Sequence, residues 1–109
     1  MDYEARPVAT VLVGNTDHKL SQPEWAELVE AVGQVMVVGT THGGRILFAG
    51  FPPGGQRWLN ACWVCHLPDD PDMVTWMREE LTRAAAAYQQ DCIAWIQSDR
   101  TEFLEGRNG

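Results

Sequence analysis

The chain has 109 residues, 45% hydrophobic and 21% charged, with a formal net charge of −7. That length suits one domain, spanning 1–109, that buries a core without staples. The acidic balance argues against nucleic acid or an anionic membrane surface as a partner, since both need a basic footprint.

The opening residues MDYEARPVATVLVG carry Asp2, Glu4 and Arg6 ahead of a short apolar stretch, with no basic n-region and no long h-region. No apolar run approaches the roughly 20 residues of a membrane helix. A cytoplasmic location is therefore expected, where thiols stay reduced. Three cysteines, an odd number, also fit no disulfide framework.

Residues 8–13, VATVLV, are apolar and β-branched and predict a strand. A polar loop, GNTDHK, follows. Ser21 then stands three residues before Glu24, the spacing of a capping box, with Leu20 and Trp25 at the staple positions. Trp25, Leu28, Val29 and Val32 form one apolar stripe at helical spacing, and Gly33 is read as the stop. Residues 35–51, VMVVGTTHGGRILFAGF, admit two readings: one strand after a ragged helix end, or a hairpin in which VMVV is an extra strand. Pro52-Pro53-Gly54-Gly55 forces a loop.

Residues 58–67, WLNACWVCHL, predict the next strand. Asp70, Pro71 and Asp72 mark a second helix start, and Val74, Met77, Leu81, Ala84 and Tyr88 form its buried stripe. CIAWI (92–96) is the last clear strand. Thr101–Leu104 extends it or forms a tail, and 105–109 is expected to fray. The order βα, ββ, αβ predicts an α+β domain of the ferredoxin-like split βαβ type. Its antiparallel sheet has four or five strands, with both helices on one face.

Within the third strand, Cys62-Trp63-Val64-Cys65-His66 spells the pattern of a c-type haem attachment site. Side chains alternate along a strand, so Cys62 and His66 face one way and Cys65 the other. Two thiols on opposite faces hold neither one porphyrin edge nor one zinc ion. The reading is therefore buried, reduced cysteines, with no metal and no cofactor.

Two functional readings follow. With the first and third strands taken as parallel and central, one rim of the sheet collects the loop after strand one, the approach to strand two, the exit of strand three and the approach to strand four. Asn15, Asp17, His18, His42, His66, Gln90 and Asp91 would then meet there as a ligand or metal site, or as an acid/base site. Alternatively, Trp63 and Trp95 point away from the helices and make an apolar patch that pairs two subunits. No nucleophile has a base at recognisable spacing, and no glycine pair opens a helix as a phosphate loop does. The leading expectation is a non-enzymatic interaction module that forms a homodimer through its sheet face and binds a protein partner. The rim site, small-ligand binding or enzymatic, is the alternative.

The segments VGNTDHKLSQPEW, WLNACWVCHL and YQQDCIAWIQSDRTEFL resemble, in the same order, small proteins encoded by actinobacteria and their phages. The resemblance implies an intracellular accessory protein that binds a host protein or sequesters a small molecule. It carries no catalytic residues over.

Overall fold

A computed structural model describes residues 7–14, 20–41, 43–50, 60–90, 92–97 and 100–106. The elements run β1 (Val8–Gly14), α1 (Gln22–Gly39), β2 (Arg45–Gly50), β3 (Asn60–His66), α2 (Pro71–Ala87), β4 (Cys92–Gln97) and β5 (Arg100–Glu105). The strands form one sheet in the order β2-β3-β1-β4-β5, with every neighbouring pair antiparallel. This is the expected ferredoxin-like α+β fold, with β5 added at one margin.

Strand alternation sorts the residues. On β1, Ala9, Val11 and Val13 are buried, and on β3 so are Ala61, Trp63 and Cys65. Ile93 and Trp95 do the same on β4. These side chains meet the helix layer, whose buried stripes supply Trp25, Leu28, Val32, Met36, Met77 and Leu81. Apolar alternation on one face and helical stripes laid over it make a two-layer core.

Both helix starts form as their residues predict. Ser21 Oγ accepts from the Glu24 N–H at 3.3 Å, and Glu24 Oε1 accepts from the Ser21 N–H at 3.0 Å. The Ser21 backbone N–H, and then its side chain, hold the Glu24 carboxyl below its ordinary pKa. Asp70 Oδ1 accepts from the Asp72 N–H at 2.9 Å, with Pro71 in the first turn.

Gly33 does not stop α1, and VMVV is helical rather than a strand. Val32, Val35, Met36 and Gly39 are all buried and continue the stripe at helical spacing. Burial along four turns outweighs the roughly 1 kcal/mol that one interior glycine costs. The helix ends at Thr40, whose hydroxyl donates to the Met36 carbonyl at 2.7 Å. Gly43 then takes φ 88°, a left-handed conformation that lets the chain turn into β2. Leu47 is an extra residue in β2: Ile46 pairs with Cys65 and Phe48 with Val64, a bulge at the sheet margin. At the other end, Thr101–Leu104 is strand rather than tail, and β5 continues to Glu105 in register with Cys92. Among the described residues, no helix is long and apolar enough to cross a membrane.

Candidate functional site

The expected histidine rim rests on β1 and β3 being parallel, and they are antiparallel. Val8 pairs with His66 and Gly14 with Asn60. In a split βαβ unit the parallel strands are β1 and β2, with β3 inserted between them and running the other way. The exit of β3 therefore lies at the edge where β1 begins, and the loop after β1 leaves from the opposite edge. His66 lies beside Arg45 at one edge, while Gln90 leads into β4 at the other, roughly 20 Å away at about 3.3 Å per residue. Gln90 is itself a turn residue. Its backbone N–H donates to the Ala85 carbonyl at 2.8 Å and its side-chain amide to the Tyr88 carbonyl at 3.3 Å. Asn15, Asp17, His18, His42 and Asp91 lie outside the described residues. Among the described residues, no group of three or more His, Cys, Asp or Glu could hold a metal ion.

Trp63 and Trp95 do not face away from the helices. They are 2% and 0% exposed. Both pair with Val11 of β1, so the three side chains form one row across the sheet beneath the helices. The cysteines follow the same alternation. Cys65 is buried and Cys62, on the other face, is half-buried; Cys62, Cys65 and Cys92 are free thiols. Burial pushes the Cys65 thiol up to about 11 and also raises that of Cys62. Both therefore stay protonated and unreactive near neutral pH.

Chemistry-bearing groups converge instead on a cleft of about 750 Å³ between α2 and the sheet edge that carries His66. That volume falls within the roughly 300–1,000 Å³ of small-molecule sites. Leu67, Val74 and Leu104 give it an apolar floor; Asp69, Thr75, Arg78, Glu79, Thr82 and Gln97 supply the polar groups. Each polar group has a local reason for its place. Asp69 lies in the short link between β3 and the cap of α2. It sits against Gly43, where a methyl group would meet the Asp69 carboxylate, so the left-handed glycine is what lets the α1–β2 turn pack there. Thr75, Arg78, Glu79 and Thr82 lie three or four residues apart along α2, on the flank of its buried stripe. Gln97 is two residues after Trp95 and shares its face of β4.

Trp95 ties the cleft to the core. The Arg78 guanidinium carbon lies 5.7 Å from the centroid of the Trp95 ring, a cation–π contact. The Trp95 indole N–H donates to Gln97 Oε1 at 3.1 Å. One buried ring thus orients both a cation and an amide that line the cleft.

Asp69, Arg78 and Gln97 are not among the residues that the sequence singles out as a site. The sequence does carry a signal for Arg78 and for Gln97. Arg78 sits four residues after Val74 and three before Leu81, which puts a guanidinium beside an apolar stripe. Gln97 ends a strand whose same-face neighbours, Ile93 and Trp95, are apolar and buried.

No protein-family model matches the chain, and no curated protein matches its sequence. Among solved structures, it is similar to a phage SAM lyase in complex with S-methyl-5'-thioadenosine. The TM-score is 0.50 at 8% identity, over 92% of this chain and 89% of that one. The likeness is one of fold. It nevertheless counts against the expectation of a non-enzymatic module, since that neighbour, which shares the fold, is a lyase with a small molecule bound. The two tryptophans offered as the self-association patch are in the core, which removes that expectation's structural basis as well.

Proposed function

We propose that the chain is a small enzyme of adenosyl-sulfonium chemistry, binding its ligand in the cleft beside α2. The observation that carries this reading is the cleft's charge pattern, on a fold like that of the SAM lyase. Fold analogy alone is a weak warrant, so the chemistry must come from the site. Asp69 and Glu79 supply two negative charges and Arg78 one positive charge. S-adenosylmethionine carries the complement: a sulfonium and an ammonium, both cationic, and one carboxylate. The thioether S-methyl-5'-thioadenosine is neutral. Heterolysis of a sulfonium carbon–sulfur bond leaves the electron pair on sulfur and so removes that cation, while an oxygen nucleophile, water or the ligand's own carboxylate, bonds to the carbon that departs. An anionic wall then favours substrate over neutral product, aiding capture and release. The apolar floor of Leu67, Val74 and Leu104 suits a nucleoside ring.

The test is thermal denaturation with S-adenosylmethionine and S-methyl-5'-thioadenosine, together with chromatography for release of an adenosyl thioether. A ligand that binds only the folded state raises the transition by mass action. Stabilisation by S-adenosylmethionine that Asp69→Asn and Glu79→Gln weaken is the expected result. A transition indifferent to both compounds at millimolar concentration overturns the reading.

A further inference from the structure

The chemistry of the cleft is polarised, and Trp95 is what polarises it. An indole N–H only donates, so the Gln97 side-chain atom 3.1 Å from Trp95 Nε1 must be the amide oxygen. This fixes which way the amide is turned, a choice that side chains of this kind normally leave open. With the oxygen engaged by the buried indole, the other branch of the amide is its NH2, a donor. Arg78, over the face of the same ring, is likewise donor-only. The two side chains that Trp95 orients therefore bring the same polarity to one cleft. Asp69 and Glu79, which only accept when ionised, also line it.

We infer that the cleft recognises an α-amino-acid moiety, with Arg78 and Gln97 taking the carboxylate and the acidic pair facing the cationic groups. This deepens the proposed adenosyl-sulfonium reading and rests on it. It identifies the amino-acid portion of the ligand, rather than the nucleoside alone, as a specificity element. Trp95 does not touch the ligand; it is a positioning residue that acts through Gln97 and Arg78. A paired donor set is the geometry that planar carboxylates select, and a hydrogen bond to a charged group is a large discriminator when its partner is missing.

The test compares three ligands by titration calorimetry on the full chain. They are S-adenosylmethionine, its decarboxylated analogue (which keeps the nucleoside, the sulfonium and the ammonium) and S-methyl-5'-thioadenosine. The wild type is expected to bind S-adenosylmethionine about 10–100-fold more tightly than the decarboxylated analogue, the value of one or two charge-assisted hydrogen bonds. Gln97→Glu is the sharpest variant. It keeps an oxygen to accept from Trp95 and replaces the donor with a second acceptor, so folding is retained, as circular dichroism will confirm, while the preference for the carboxylate is lost or reversed. Trp95→Phe is expected to reduce the preference without abolishing nucleoside binding. Equal affinity for the first two ligands, or an unchanged preference in Gln97→Glu, overturns the inference and leaves the adenosyl reading standing. Failure of all three ligands to bind overturns both.

Discussion

The helix layer leaves a recess at each side of the sheet, and the two differ in chemistry. Each sits by a buried tryptophan of the same cross-strand row. On the α2 side the neighbours of Trp95 are Arg78 and Gln97. On the α1 side a groove of about 370 Å³ is lined mainly by Val29, Gly33, Val37, Ile46 and Trp63, together with Glu30 and Gln34. Gly33 of α1 approaches Trp63, and a methyl added there would lie 3.9 Å from Trp63 Nε1. Trp95 holds Gln97 and lies under Arg78, whereas Trp63 lies against a glycine of α1. The comparison teaches that a shared scaffold position acquires chemistry from what the adjoining helix presents: an arginine over one ring, a glycine near the other.

The comparison can be broken most forcefully at the rings themselves. Trp63→Ala and Trp95→Ala each remove a nearly fully buried ring, and chemical denaturation should show a loss of about 3–5 kcal/mol for both. If the account is right, the milder pair separates them. Trp95→Phe alters ligand discrimination and Trp63→Phe does not, although both cores are perturbed alike.

Two glycines of α1 give the next contrast. A methyl on Gly39 would run into the Met77 side chain, which is fully buried, so Gly39→Ala should cost about 1–3 kcal/mol by forcing the two helices apart. Gly33→Ala meets only ordinary contact distance and gains helix propensity, so it should raise stability by about 0.5–1 kcal/mol. A thermal melt of the two variants checks both signs. Because Gly33 borders the apolar groove alone, ligand affinity in the α2 cleft should be unaffected.

Alkaline pH sharpens the comparison from the other side, with a smaller effect. Cys65 lies on the α1 side, paired with Ile46 and Ala9. Its thiol is raised from 9.0 to about 11 by burial, a shift that a backbone hydrogen bond from Ala9 partly offsets. A raised folded-state value means the unfolded chain releases its proton first. The stabilisation is thus fully present below pH 9 and is lost as pH rises towards about 11. Urea midpoints measured across that window should fall, and Cys65→Ala should flatten the fall. At pH 8 a thiol reagent should leave Cys65 unlabelled until denaturant is added.

Much of the fold was legible because local and global signals agree. The Ser21–Glu24 box, the Asp70–Pro71 start and the alternation in NACWVCH each name an element and its buried face. VMVV misled because a short β-branched run reads as strand until the stripe at Val32, Val35, Met36 and Gly39 is followed through Gly33. The site was less legible, since it depends on which strand ends share an edge. Strand order and direction, not residue type, decide that, and a parallel β1 and β3 would have joined residues that the antiparallel pair holds apart. Arg78 was hidden for a further reason: a charged residue on a helix reads as solvent-facing unless the ring beneath it is known.

The most direct measurement is a nitrogen–proton correlation spectrum of the indole groups, assigned with the Trp63→Phe and Trp95→Phe variants, as S-adenosylmethionine is added. The account predicts that the Trp95 indole resonance moves with ligand concentration, because Gln97 at the cleft accepts its hydrogen bond, while the Trp63 resonance stays in place. Movement of Trp63 alone, or of neither, would contradict it.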